Sequence, residues 1–416
     1  MNNKAAGKFA NAAGGSTFSL LLCGLLFFAA LPVFAQDFGL VVRQNAVIGD
    51  DDGSYVEYTG TVLPWFAAPL GDNADLYLSG GLSAEYVDEE WRPLPEINRF
   101  ELSYDPRPGL RIEAGRLPFR ETSAVMAGLF DGLSFRLNAG GGRLTGGVFY
   151  TGLLYKKAAH IIMIPEDRAA YNDRDEYFAS RRLAANIHWE KTGIFNTRNT
   201  LSLLAAVQFD LNGDDTVFHS QYLEAKAGIP LGGRVNAELG GVLELVETDE
   251  PDDAAGSSKS SYTAFALSTH ITWLLPTALE DRLSAGGRFF SGRRNDQGPF
   301  IPLTLQTRGR VLRPEPLGIA LLETVYTAGL SSGLSADLCG TYYFRTDRET
   351  FQHPGIDSLS RSPLLGGEVY GGLTWMPFSE VLLSAGGGVF LPRTGNVFTS
   401  DAALIYRVEL GLSISF

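Results

Sequence analysis

Apolar and polar residues alternate in short segments along most of this chain. The last eleven residues, YRVELGLSISF, place six apolar side chains on one face of an extended strand. These side chains are Tyr406, Val408, Leu410, Leu412, Ile414 and Phe416. The segment that begins at Thr200, TLSLLAAVQFD, repeats the same period of two. The pattern predicts β-strands that are apolar on one side.

Short and long links alternate between the predicted strands. VYGGLTWM is joined to VLLSAGGGVF through PFSE, and FELSY is joined to LRIEAG through DPRPG, as in tight hairpins. Longer polar links include residues 87–96, 155–181, 246–261 and 291–316. One strand between successive links gives about 18 strands, within a range of about 16 to 20, and puts both chain ends on the short-turn side. LTLQTRGRVL, inside the 291–316 link, is assigned to a loop because another strand would break the alternation.

The length of the predicted strands favours a membrane barrel. Most have roughly 9 to 14 residues, close to the ~9–11 of a tilted strand that crosses a bilayer, whereas strands of soluble proteins average about 5–6. Backbone groups in hydrocarbon must all be paired, so strands cross a membrane only as a closed barrel. We therefore predict an all-β, up-and-down antiparallel transmembrane barrel with short periplasmic turns and long extracellular loops. A soluble two-sheet sandwich is the alternative.

The N-terminus has the pattern of an export signal. Lys4 and Lys8 precede an apolar run that starts at Phe18 and ends in Val33-Phe34-Ala35. This pattern predicts a signal peptide over residues 1–35, cleaved after Ala35, and a single barrel domain over residues 36–416. The rival interpretations are a membrane anchor and a lipidated Cys23.

Composition excludes some classes of function. The 416 residues include 47 acidic and 34 basic side chains, for a net charge of −13, and loss of Lys4 and Lys8 with the signal peptide would give −15. Nucleic-acid binding needs a basic surface, so we expect no nucleic-acid partner. Glycine, at 48 residues, disfavours long helices. Of the two cysteines, Cys23 falls in the signal peptide, so no internal disulfide is expected.

The signal peptide and the terminal strand together resemble Gram-negative outer-membrane barrel proteins. In that family the last strand ends in Phe and is recognised by the barrel-assembly machinery, which implies that role for Tyr406, Val408, Leu410, Leu412, Ile414 and Phe416. More loosely, IEAGRLPFRETSAVMAGLFDGLSFRL resembles substrate-specific porins and alginate-export-type channels, through Gly115-Arg116 and Asp131-Gly132. The resemblance implies a location in the cell outer membrane, in contact with lipid and lipopolysaccharide.

A barrel of about 18 strands is wide enough to enclose an aqueous channel, and charges that face inward would set its selectivity. The alternation predicts an inward set of both signs. It comprises Arg111, Glu113, Arg136, Glu224, Lys226, Glu238, Glu244, Arg288, Glu323, Asp337, Arg345, Glu368, Arg407 and Glu409.

Two long links are candidates to fold inward as constrictions. Residues 155–181 contain Lys156, Lys157 and an apolar HIIMIP stretch, which needs a surface to pack on. The 291–316 link concentrates Arg293, Arg294, Arg308, Arg310 and Arg313, which would form a basic eyelet or bind lipopolysaccharide phosphates. A solvated external loop is the alternative for each link.

These features predict a passive outer-membrane channel for small hydrophilic solutes. No enzyme activity or cofactor is expected, because the G-x-S-x-G match at residues 329–333 falls in a predicted tight turn between two strands and not in a strand-to-helix elbow, and the five histidines are scattered without metal-ligand spacing, which predicts no metal site. The alternative is a non-conducting surface adhesin or structural barrel. A homo-oligomer is left open, because outward glycine-rich strands would permit close contact between barrels.

Overall fold

The computed structural model describes residues 36–50, 53–87, 90–194, 198–213, 216–252, 256–294, 297–357 and 359–416. The predicted signal peptide, residues 1–35, lies outside these ranges. The strands are β1 (Asp37–Asp50), β2 (Ser54–Pro69), β3 (Ala74–Val87), β4 (Glu90–Arg107), β5 (Leu110–Pro118), β6 (Leu129–Ala139), β7 (Gly142–Tyr150), β8 (Arg182–Thr192), β9 (Thr200–Asp210), β10 (Val217–Gly232), β11 (Val235–Asp252), β12 (Gly256–Leu274), β13 (Arg282–Phe290), β14 (Ile319–Ser331), β15 (Leu334–Arg345), β16 (Leu364–Phe378), β17 (Val381–Pro392) and β18 (Ile405–Ser415). Two short helices, α1 (Lys156–Ala159) and α2 (Pro165–Asn172), lie between β7 and β8.

The sheet closes on itself, because each strand pairs antiparallel with the next and β18 pairs with β1. The closing register runs from Val41 opposite Ser415 to Asp50 opposite Tyr406. Beyond the end of β18, the backbone N–H of Phe416 donates to Leu40 O at 2.9 Å. The predicted 18-stranded antiparallel barrel is therefore confirmed.

The two rims differ in the length of their links, as predicted. The start of β1 at Asp37 and the C-terminal Phe416 lie on the rim of short turns, where glycines supply backbone angles that other residues avoid. Gly333, between β14 and β15, has φ +80°, and a Cβ there would lie 2.5 Å from Met376 O. On the other rim, the described residues between Phe290 and Ile319 form only isolated bridges, so the assignment of LTLQTRGRVL to a loop is confirmed.

Two predicted long links are largely strand, which corrects the sequence-based boundaries. β3 continues to Val87 and β4 begins at Glu90, inside the predicted 87–96 link. β11 and β12 extend through most of the predicted 246–261 link, and their pairing reaches Asp252 opposite Gly256. Backbone pairing does not require apolar side chains where both faces of a hairpin are in water. These strand ends were therefore predicted wrongly, because the segments are polar and contain prolines.

Exposed apolar side chains cover the outside of the barrel. Leu203, Leu223, Leu243 and Leu267 on β9 to β12 are 43%, 60%, 45% and 53% exposed, whereas the adjacent residues Leu204, Glu224, Val242 and Ala266 on the opposite face are buried. None of the helices formed by the described residues has the length and apolar character needed to cross a membrane.

The buried apolar core lies inside the barrel, where three links from the long-loop rim pack against inward-facing side chains of the wall. We call these links loop A (residues 119–128), loop B (151–181) and loop C (291–318). Their fully buried members include Val125, Met126, Leu154, Phe300 and Leu303. The loops also bond to one another: Ala127 N donates to Thr304 Oγ1 at 2.7 Å, and Leu305 N donates to His160 O at 2.8 Å. Loops A, B and C therefore form one packed inner layer that narrows the barrel.

Candidate functional site

Loop A is fastened to the barrel wall by two charged side chains of β10. Ser123 Oγ donates to Glu224 Oε2 at 2.6 Å, and Ala124 N donates to Glu224 Oε1 at 3.1 Å. Lys226 Nζ donates to Thr122 O at 2.6 Å. Both Glu224 and Lys226 therefore point into the barrel, and both hold loop A in place.

Loop C is fastened in the same way by Glu368 and Glu244. The backbone N–H groups of Arg310, Val311 and Leu312 all donate to the Glu368 carboxylate, at 2.7 to 3.0 Å. On the other side of loop C, Ile301 N donates to Glu244 Oε2 at 2.9 Å. Carboxylates that accept several backbone N–H groups make strong, charge-assisted bonds. The wall thus fixes loop C at two separate points.

Loop B is held mainly by a buried ion pair. Asp167, at the start of α2, accepts hydrogen bonds from the backbone N–H groups of Met163 and Ile164. It also pairs with Arg182 of β8 at 2.7 Å, and both side chains are fully buried. Lys156, predicted as a constriction residue, is buried as well and donates to the carbonyls of Ala170 and Asp173 within the loop. Its charge therefore stabilises loop B internally.

A charged cavity of about 320 Å³ remains between the inner layer and the wall formed by β10 to β14. Arg288, Glu323, Glu238 and His270 line it from the wall, and Arg308 lines it from loop C. Burial, with the charge of nearby Arg288, lowers the pKa of the Arg308 guanidinium to about 10, so this side chain is still a cation at neutral pH. The cavity therefore presents both signs of charge.

A second cavity, of about 640 Å³, adjoins the first and lies toward the short-turn rim. The two cavities share Thr122, Lys226, Glu238 and His270 in their walls. The larger one is also lined by Pro230 and its neighbours at the β10–β11 turn. Together they form a charged passage alongside loop A that leads toward the short-turn rim.

The wall of β4 and β5 carries a network of paired charges. Arg111 Nε donates to Glu113 at 3.1 Å, and Arg120 of loop A lies 3.1 Å from Glu101 and 3.5 Å from Glu113. These contacts place Arg111 and Glu113 on the inner face, where they neutralise each other. Arg136, on β6 opposite Arg111, lies in a small cavity between this wall and loop A.

Arg116 and Asp131, which belong to the Gly115-Arg116 and Asp131-Gly132 pairs noted in the sequence, contact each other. Arg116 Nε and Nη2 donate to the two carboxylate oxygens of Asp131 at 2.8 and 2.9 Å. The same guanidinium donates to Leu153 O at the start of loop B, at 2.8 Å. Arg116 therefore joins β5 to β6 and to the start of loop B, next to loop A.

The remaining predicted wall charges lie outside the two cavities and contact neighbouring strands or links. Arg345 donates to Ser360 O and Ser362 O of the β15–β16 link, at 2.5 and 2.8 Å. Arg407 pairs with Glu409 at 2.5 Å, and Glu409 accepts from Tyr370 Oη at 3.2 Å. Asp337 lies against Gly372 of β16. None of these four residues lines either cavity described above.

Of the predicted loop cations, Arg308 lines the smaller cavity. Arg310 lies over the Tyr370 ring, 5.5 Å from its centroid, and Lys157 lies 5.1 Å from the Tyr171 ring. Arg293 and Arg294 are exposed near the end of β13.

Sequence reasoning missed loop A as an inner element, although the apolar run AVMA in an otherwise polar link was the available signal. It also missed Glu121, His188 and Glu190, whose ligand atoms lie within 4.8 Å of one another. Glu121 is about 70 positions away from the other two residues, so the cluster has no spacing signal; it forms because loop A folds inward against β8.

The closed barrel resembles solved structures of several Pseudomonas aeruginosa proteins. OccK2 (OpdF), in a structure in complex with glucuronate, is 15% identical, with a TM-score of 0.58 over 92% of this chain and 98% of that chain. OpdQ is 12% identical, with a TM-score of 0.59 over 92% and 99% of the two chains, and OprD is 12% identical, with a TM-score of 0.55 over 92% and 95%. No protein-family model and no curated protein matches the sequence. The chain therefore has the fold of the OprD-like outer-membrane porins, as the sequence resemblance predicted.

Proposed function

We propose that this protein is an outer-membrane, porin-like channel for the passive diffusion of small hydrophilic solutes. The observation that carries the proposal is the pair of adjoining charged cavities between the inner loops and the wall of a closed barrel. A barrel of this size encloses an aqueous interior, and the inner layer narrows it without filling it. The resemblance to porins rather than to enzymes supports a transport role.

Mixed charge along the passage favours polar solutes of modest size. Lys226, Arg288 and Arg308 face the passage together with Glu238 and Glu323. Charged groups at a constriction select solutes by sign and hydrogen bonding. The glucuronate of the OccK2 structure is a small hydrophilic solute of this kind.

Planar-bilayer recording of the refolded protein tests the proposal. We expect stepwise conductance, and Arg308→Gln should shift ion selectivity toward cations without loss of the steps. Arg293→Gln is the matched control, because Arg293 lies outside both cavities. A folded barrel that gives no conductance steps would refute the channel.

The β11–β12 hairpin supports a second candidate, a non-conducting surface or adhesin barrel. Its strands have 18 and 19 residues, well beyond the ~9–11 needed to cross a bilayer. Their pairing continues to Asp252 opposite Gly256, past Ala266, where β12 pairs with the end of β13. This candidate predicts that the folded barrel gives no conductance steps and that shortening the β11–β12 hairpin abolishes its binding to a host or matrix surface.

We also propose partners that follow from a location in the outer membrane. A signal peptide ending at Ala35 would direct export. The barrel-assembly machinery would recognise the outward side chains of β18 and the C-terminal Phe416, from Tyr406 to Phe416. Val408, Leu410 and Phe416 are 42%, 55% and 73% exposed on the outer face, as such recognition requires. Lipopolysaccharide contact at the long-loop rim and self-association through the outer face are part of the same proposal.

A further inference from the structure

Three side chains with metal-ligand chemistry meet in the wall of the larger cavity. Glu121 belongs to loop A, whereas His188 and Glu190 are two positions apart on β8 and share its inner face. One ligand atom from each residue lies within 4.8 Å of the other two. His188 Nδ1 and Glu121 Oε2 are 3.3 Å apart. Two ligands of a tetrahedral ion at ~2.0–2.1 Å are separated by about 3.4 Å, so this pair already has ligand spacing.

The ring of His188 is held in position from its other side. Its Nε2 lies 2.7 Å from Ser202 Oγ of β9, and the ring is only 3% exposed. When Nε2–H donates to Ser202, the Nδ1 lone pair faces the lone pairs of Glu121 Oε2. Metal-ligating histidines are commonly oriented by such a bond from the second ring nitrogen. In the other tautomer Nδ1–H donates to Glu121 Oε2, so metal binding selects the tautomer in which Nε2–H donates to Ser202.

Arg143 of β7 is the competing cation at this site. Its Nη2 lies 3.5 Å from Glu121 Oε2 and 3.3 Å from Glu190 Oε1. Both contacts are long for a charge-assisted bond, and the Arg143 side chain is 40% exposed. It can therefore turn into the adjoining cavity of about 640 Å³ and leave the carboxylates to another cation.

We propose that Glu121, His188 and Glu190 bind a divalent transition-metal ion such as Zn²⁺. One imidazole nitrogen and two carboxylate oxygens suit Zn²⁺, whereas Mg²⁺ and Ca²⁺ prefer ligand sets made of oxygen alone. The cavity supplies water for a fourth position. Because Glu121 lies in loop A and the other two ligands lie in β8, the bound ion ties the inner loop to the wall beside the passage.

Titration calorimetry of the folded, full-length barrel with Zn²⁺ tests the site. We expect one Zn²⁺ per chain, and no binding of Mg²⁺ or Ca²⁺ under the same conditions. His188→Gln should weaken Zn²⁺ binding by at least about tenfold, and Ser202→Ala, which removes the orienting bond, by about tenfold. Glu190→Gln repeats the test on a ligand that is 36% exposed and whose replacement changes little packing.

Arg143→Gln gives the sharpest prediction, because removing the competing guanidinium should tighten Zn²⁺ binding several-fold. The matched control is His219→Gln, since His219 packs against Phe209, away from the cavities, and its loss should leave the affinity unchanged. Absence of Zn²⁺ binding by the wild type, or equal binding by His188→Gln, overturns the proposal. Calorimetry needs no conduction, so this result is independent of whether the barrel proves to be a channel.

Discussion

Glu368 and Glu323 both face the interior of the barrel, but their surroundings give them different roles. Glu368 accepts three backbone N–H groups from loop C, whereas Glu323 lines the charged cavity beside Arg288. Glu224 resembles Glu368, because Ser123 and Ala124 of loop A both donate to it. An inward position therefore predicts only where a charge lies, and its hydrogen-bond partners decide whether it holds a loop or faces the passage.

Glu368→Gln should loosen loop C. The amide group would present N–H donors to backbone N–H groups that now donate to a carboxylate, and bonds to a charged group contribute about 1.5–3 kcal/mol. We expect trypsin to cleave after Arg310 faster in the folded variant. Glu323→Gln is the matched control: cleavage should stay at the wild-type rate, while ion selectivity in bilayers shifts toward anions. Equal cleavage rates for both variants would contradict the anchoring role of Glu368.

Gly309 is a second residue on which loop C depends. Its φ is +82°, and a Cβ would lie 1.7 Å from Tyr343 Oη and 2.9 Å from Glu368 Oε1. Gly309→Ala should therefore displace the loop from its anchor and increase current noise in single-channel records. Gly395→Ala is the control: with φ +69° and open space around the added methyl group, it bears only backbone strain of about 1–3 kcal/mol. Quiet, wild-type currents from Gly309→Ala would refute this account.

At the scale of whole elements, loops A, B and C depend on one another. Thr304 of loop C accepts a hydrogen bond from Ala127 and donates its N–H to Val125 O at 3.2 Å, both in loop A. Arg168 of loop B pairs with Glu315 of loop C through two bonds of 2.7 and 2.5 Å. Loosening one loop should therefore disturb the other two.

Met126→Ala tests this coupling. Met126 is fully buried in the inner layer, and shortening a buried Met to Ala costs about 2–5 kcal/mol. The wall keeps its own ladder of hydrogen bonds, so the variant should still fold into a barrel that migrates differently before and after boiling. Its single-channel conductance should rise and fluctuate as the inner layer opens. Leu359→Ala, at a side chain that is 87% exposed, should leave conductance unchanged.

The elements differ in how far sequence could predict them. HIIMIP indicated that residues 155–181 pack inward, because an apolar run in a polar link needs a partner surface, and Ile161, Ile162, Met163 and Ile164 are buried. The wall residues that pack against this apolar run could not be predicted, because they depend on how distant strands are aligned. Hairpin ends such as Val87 and Asp252 were misplaced because backbone pairing continues through polar sequence.

At the scale of the molecule, the number of strands followed from the alternation of links and from parity. Closure itself leaves no local signal, because β1 and β18 are separated by nearly the whole chain. The cavities depend on the same long-range assembly. Lys226 and Arg308 line one cavity only because loop C is tied to the wall by Glu244 and Glu368. Sequence could therefore predict the barrel, but not which charged residues line the passage.

Leu410→Pro should prevent the barrel from closing. Leu410 lies in the middle of β18, opposite Ala46 of β1 on one side and Ala385 of β17 on the other. Proline removes a backbone donor from this ladder, and an unpaired backbone group facing hydrocarbon costs ~3 kcal/mol or more. The variant should lose the difference in gel migration between unheated and boiled samples, and it should give no conductance. Leu410→Val, which keeps the backbone N–H and an apolar outer face, should fold like the wild type. If Leu410→Pro folded and conducted normally, the backbone hydrogen bonds of β18 at Leu410 would not be needed to close the barrel.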